Sequence, residues 1–137
     1  AFPGGRCDPQ DLNPLETACR ETQEEIGVDL SATDRLGRLD DLQGRHGGRS
    51  REMVISCFVF GAHGVDRFIP NHEVADVVTL PISTLLDPSA QREVPWAQAG
   101  RVFPGIYVGG GERVIWGLTY RFLLHFFSLL GHSLPSD

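Results

Sequence analysis

A chain of 137 residues, 41% hydrophobic and 22% charged, has room for one globular domain that buries roughly two-thirds of its extended surface. This composition excludes wholesale disorder, collagen-like repeats and a coiled coil. The net charge is −6, all twelve basic residues are arginine, and none cluster into a stripe, which argues against a nucleic-acid partner and for an electropositive one such as a metal ion.

Residues 1–13 are rich in Gly, Pro and Asp and read as a loop. The opening "AFPGG" places a glycine turn at the very start, as though a strand preceded it, so a single domain over 1–137 lacking its N-terminal strand or strands is expected. A well-punctuated helix follows. Asn13 is a good N-cap, Pro14 suits the first helical position, Glu16 completes a capping-box pattern and Gly27 is placed to end the helix. At 100° per residue, Leu15, Ala18, Cys19, Thr22 and Ile26 share one face, with Glu21, Glu24 and Glu25 roughly 110° away. Next come a short strand near 36–42, a Gly/Arg-rich loop, and "MVISCFVFGA" (53–62) as a buried strand. The turn "IPNHE" leads to "EVADVVTLP" (73–81), a further expected strand. A helical turn or two at 82–88, short strand-like pieces over 89–112 and a buried C-terminal helix over "VIWGLTYRFLLHFFSLL" (114–130) complete the chain. Arg121 and His125 interrupt that last stretch, and no run of about 18 apolar residues exists, so no membrane span is expected.

Glu21, Glu24 and Glu25 have two readings. One is a solvated helix face. The other is a metal site, because carboxylates at i, i+3 and i+4 can converge on Mg²⁺ or Mn²⁺ with water and substrate oxygens completing the shell. These acids occupy the C-terminal half of the helix, where the macrodipole disfavours negative charge, so helix stability does not account for them. Arg20, four before Glu24, can pair with it and fix its orientation. The "PGG" at 3–5 would let the backbone approach closely and offer a main-chain carbonyl to the same ion.

The stretch "FPGGRCDPQDLNPLETACRETQEEIGV" (2–28) resembles the Nudix box, and the Arg-Glu-x-x-Glu-Glu-x-Gly core is intact as Arg20, Glu21, Glu24, Glu25 and Gly27. The departures are Asp11 where Glu is usual, a spacer one residue longer before Arg20, and Thr22 where an aliphatic residue is usual. Asp8, Asp11 and the longer spacer resemble the coenzyme A diphosphatase branch. The resemblance implies an α+β fold, a Nudix-type α/β/α sandwich with a mixed β-sheet between helices. It also implies metal-assisted attack of water on the diphosphate of coenzyme A or acyl-CoA, giving 3′,5′-ADP and 4′-phosphopantetheine. ADP-ribose, NADH and dinucleotides are the alternative substrates, and a non-catalytic binding module is the alternative role.

Under that resemblance Glu21, Glu24, Glu25 and the carbonyl of Gly5 are the candidate ligands of Mg²⁺ or Mn²⁺. Glu21, Glu24, Arg20 and Glu73 are the candidate catalytic groups, with Glu21 or the downstream Glu73 as base; an exposed loop acid is the other reading of Glu73. Arg45, Arg49 and Arg51 could grip a substrate phosphate or be a solvated loop. The expected partner is a small nucleotide-type substrate, with no nucleic acid and no membrane. A sheet edge left open by a missing strand would invite a homodimer. Three cysteines, Cys7, Cys19 and Cys57, without a CxxC pair argue against a disulfide framework and for a reducing, cytoplasmic location.

Overall fold

The computed structural model describes residues 1–46, 50–97 and 100–136, with the side chains of 45–46 and 50–52 left aside. The chain divides into two compact units, residues 2–78 and residues 79–137 with Ala1.

The first unit is organised around helix α1 (Pro14–Ile26). Its start is the one the sequence predicts: Asn13 accepts a hydrogen bond from the Glu16 N–H and the Glu16 carboxylate reaches back to the Leu12 N–H, satisfying two amide donors at this end. Gly27 ends it in the left-handed region at φ 70°. Strand β1 (Asp34–Arg38) pairs antiparallel with β4 (Phe58–Gly61), and β2 (Leu42–His46) pairs antiparallel with β3 (Ser50–Ile55). The predicted continuous strand at 53–62 is therefore two, with different partners. Ser56 and Cys57 form the break, and the Cys57 carbonyl accepts from the Leu39 N–H at the changeover. The segment 73–81, predicted as a strand, is irregular. Its β-branched residues give it strand propensity, but no second strand pairs with it among the described residues, and Val74 and Val77 rather than alternate residues are half-buried.

The second unit carries a short helix α2 (Ile82–Leu85) and a three-stranded antiparallel sheet, β5 (Gln91–Trp96), β6 (Arg101–Tyr107) and β7 (Val114–Trp116). Helix α3 (Gly117–Leu129) follows. The predicted helix over 114–130 thus begins three residues late, because Val114–Trp116 pair with β6 before the chain turns helical. Ile106, Tyr120 and Phe127 are almost fully buried, and with Leu85, Ala90 and Leu123 they form this unit's core. The Tyr120 hydroxyl donates to the Pro135 carbonyl at 2.7 Å, so its burial leaves no orphaned polar atom. The expected α+β character is present, and the strand pairings among the described residues are antiparallel.

Candidate active site

The acidic helix face is organised by a single guanidinium. Arg20 donates from Nε to Asp11 Oδ1 at 3.0 Å and from Nη2 to Asp11 Oδ2 at 2.8 Å, a two-pronged pairing. Asp11 also accepts from the Thr17 hydroxyl and the Asp8 N–H, each at 2.8 Å. Its side chain is 7% exposed, and Arg20 foremost, then these two donors, hold its carboxyl far below the usual carboxylate range. The remaining nitrogen of Arg20, Nη1, reaches Glu21 at 3.2 Å and Glu24 at 3.4 Å. Arg20 therefore touches Glu24 as the sequence predicts, but the contact is long and its main partner is Asp11. The sequence reading matched Asp11 to a motif position without assigning it this role. Thr17, three before Arg20 and on the same side of the helix, was the available signal.

Gly5 lies against Glu21. A Cβ on Gly5 would stand 2.5 Å from Glu21 Cδ and closer still to Oε1, so any larger residue would displace the Glu21 carboxylate. Neither Gly4 nor Gly5 has positive φ, so the close approach that the sequence predicts for this turn needs no left-handed backbone. The N–H of Gly4 donates to the Glu25 carboxylate. Burial, followed by the charges of Glu21 and Glu73 and a side-chain hydrogen bond with Glu21, pushes the Glu25 carboxyl up, and the Gly4 N–H offsets part of this.

The segment that leads to Glu73 is tied to the end of α1 by main-chain pairing. The N–H groups of Ile69 and Asn71 donate to the carbonyls of Ile26 and Glu25 at 2.8 and 2.9 Å, satisfying two of the open carbonyls at the end of α1. Gly27 makes room for this segment, since a Cβ there would stand 2.9 Å from Ile69 Cβ. Glu24 is the most solvent-facing of the three helix acids, with a side chain 54% exposed. Glu21 thus stands against Gly5 with Glu24 at its edge under Arg20, and the main-chain bonds of Ile69 and Asn71 hold the segment that carries Glu73 to the end of the same helix. Arg49 lies outside the described residues, as do the side chains of Arg45 and Arg51.

The donors gathered here are carboxylate and main-chain oxygens, the chemistry a hard divalent cation takes, and the electrostatic strain on Glu25 is of the sign such an ion relieves. The residues fit Mg²⁺ or Mn²⁺ in kind. Among the described residues no three His, Cys, Asp or Glu side chains stand in a ready-made metal-holding group, so side-chain rotation would accompany binding. The cavity of about 400 Å³ lined by Asn13, Pro14, Leu15, Arg35, Gly37, Arg38 and Phe58 includes none of these acids.

A glycine turn packed on a capped helix whose last two turns present acids is the local arrangement that the Nudix-box resemblance implies. The chain belongs to the NUDIX domain family, whose profile matches residues 1–99. It is 32% identical over 123 residues to the mouse mitochondrial coenzyme A diphosphatase NUDT8, covering 87% of this chain and 56% of that protein. The human NUDT8 is 32% identical over 122 residues, covering 87% of this chain and 50% of that protein. A Nudix hydrolase of Yersinia enterocolitica, NudL, is 34% identical over 121 residues, covering 87% and 59% respectively. The chain spans between half and three-fifths of the length of these relatives. Among the described residues, no helix is long and apolar enough to cross a membrane.

Proposed function

We propose that the protein hydrolyses the diphosphate linkage of coenzyme A or an acyl-CoA to 3′,5′-ADP and 4′-phosphopantetheine, using Mg²⁺ or Mn²⁺. The single observation that carries the reading is the packing of Glu21 against Gly5 in a Nudix box, with Arg20 reaching both Glu21 and Glu24 on the same helix. The names of the mouse and human relatives favour coenzyme A over ADP-ribose, NADH or dinucleotides. Three free cysteines suit a reducing compartment such as the cytoplasm.

Glu21, Glu24 and Glu25, with the Gly5 carbonyl, would hold the ion. Bound there, it would polarise phosphoryl oxygens and lower the pKa of water. Glu73 would accept a proton from the attacking water, and Glu21 is the second candidate for that role. Arg20, anchored on Asp11, would restrain Glu21 and Glu24 and bear on turnover through them. Arg45, Arg49 and Arg51 are proposed to meet a substrate phosphate.

The test is hydrolysis of coenzyme A, ADP-ribose and NADH in Mg²⁺ or Mn²⁺, with Glu24→Gln alongside. Metal-dependent release of 3′,5′-ADP and 4′-phosphopantetheine, reduced by about 10²-fold or more in a folded Glu24→Gln protein, is expected. Cleavage of ADP-ribose or NADH alone would discard coenzyme A and keep the chemistry. No cleavage of any of the three by a folded, metal-loaded protein would count against the catalytic reading and favour a binding module.

A further inference from the structure

Asn71 makes two bonds that meet at the site. Its main-chain N–H donates to the Glu25 carbonyl at 2.9 Å. Its side-chain Oδ1 accepts from the Glu73 N–H at 2.9 Å, while its own carbonyl accepts from the Val74 N–H at 3.2 Å. The first bond fixes Asn71 to the helix end; the second folds the chain back on itself over residues 71–74. The Glu73 side chain is 61% exposed, and its Oε1 lies 3.8 Å from Nε2 of the still more exposed His72, so packing holds it little and its placement rests on this backbone turn.

We propose that Asn71 is a positioning residue: it ties the Glu73 backbone to the end of α1 and thereby sets where the Glu73 carboxylate stands relative to the acids of that helix. The inference rests on the proposed metal-dependent reading of the site and extends it to a residue outside the Nudix box. Removing the Asn71 side chain leaves the main-chain bond to Glu25 intact, so α1 and its acids stay in place. The bond lost is the one to Glu73. The consequence is specific, since Glu73 should drift from the cluster while Glu21 and Glu25 do not move. A serine at 71 can make the same kind of turn with its hydroxyl, more weakly.

The test uses the whole chain and Mn²⁺ itself as probe, with free ion counted by electron paramagnetic resonance, and kcat measured in parallel. Asn71→Ala is expected to weaken Mn²⁺ binding by up to about tenfold and to lower kcat with little change in KM. Glu73→Gln should do the same, and the double variant should be no worse than Glu73→Gln alone, because Asn71 acts through that carboxylate. Asn71→Ser should recover part of both losses. Additive losses in the double variant would overturn the inference and leave Asn71 a stabiliser of the loop. Wild-type Mn²⁺ affinity and kcat in Asn71→Ala would also overturn it. An unaltered Glu73→Gln would remove Glu73 from the site and the inference with it. The Glu24→Gln control separates these failures from failure of the metal reading, for in that case Glu24→Gln too would bind Mn²⁺ as the wild type does.

Discussion

Gly5→Ala adds one methyl at the tightest point of the site. Gly5 has ordinary φ, so alanine strains no backbone and the whole effect is the collision with Glu21. The new Cβ would stand 2.5 Å from Glu21 Cδ, whereas ordinary contact begins at 3.4 Å, so the carboxylate must withdraw by about 1 Å. The side chain can yield, since its far end is what the methyl meets, and stability should change little. Function should not be spared. A displacement of about 1 Å in a positioned group costs about 10²-fold in rate, equivalent to about 2.7 kcal/mol of transition-state stabilisation. Initial rates at saturating Mg²⁺ and melting by calorimetry should therefore separate: kcat down about a hundredfold, Tm nearly unchanged. Gly37→Ala, where nothing lies within 4 Å of the added methyl, controls for the substitution itself. Full activity in a Gly5→Ala protein with wild-type Tm would refute the claim that the glycine turn serves to admit Glu21.

Asp11→Asn removes a carboxyl whose folded value is depressed. Such a group stabilises the fold above its unfolded value of 3.8, and that stabilisation is lost as pH falls through the lower, folded value. The variant should melt lower at neutral pH and show a shallower fall in Tm below about pH 4; acid-side slopes identical to wild type would contradict the Arg20 pairing. Gly27→Ala should cost about 1–2 kcal/mol from the left-handed backbone alone, measured by urea unfolding. Because its Cβ would also press on Ile69, Mn²⁺ binding should weaken with stability, and unchanged affinity would show that the 69–73 segment is not held by this contact.

Helix α1 was legible because its signals are local: a cap, a proline, a glycine and the spacing of acids each act within a few residues. The same is true of the family resemblance, which rests on residues 2–28. What escaped reading depends on partners distant in sequence. The run at 53–62 has uniform strand propensity, and only its pairing to β2 on one side and β1 on the other divides it. The run at 114–130 is mostly apolar, and Arg121 and His125 interrupt it only well inside α3, so no change of period marks where pairing with β6 gives way to the helix. Glu73 was legible as a candidate, but not the tie of its segment to the end of α1, which the main-chain N–H groups of Ile69 and Asn71 make. Thr22, a departure from the aliphatic residue usual in the motif, is buried and satisfies its hydroxyl on the Ala18 carbonyl at 2.7 Å, so the exchange is tolerated locally.

Among the described residues, the crowding of glutamates on α1 is only partly offset by a cation, Arg20. Asp8, Asp11, Glu21 and Glu24 all stand within 3.5 Å of the Arg20 guanidinium, yet its two shortest bonds go to Asp11. Glu21 and Glu24 receive only its third nitrogen. Glu25, for its part, draws on the Gly4 N–H against the charges of both Glu21 and Glu73. The helix end adds a negative dipole, which the Ile69 and Asn71 N–H groups satisfy in hydrogen bonding but cannot neutralise in charge. Asp11 therefore does two opposed things. By binding Arg20 bidentately it fixes the guanidinium where Glu21 and Glu24 can lean on it, and by consuming most of that charge it leaves their repulsion largely in place. A site built to be neutral in isolation would have freed Arg20 for the glutamates. On the proposed reading, acids left under-compensated would keep an affinity for a divalent ion, and the Asp11–Arg20 pair would set that balance.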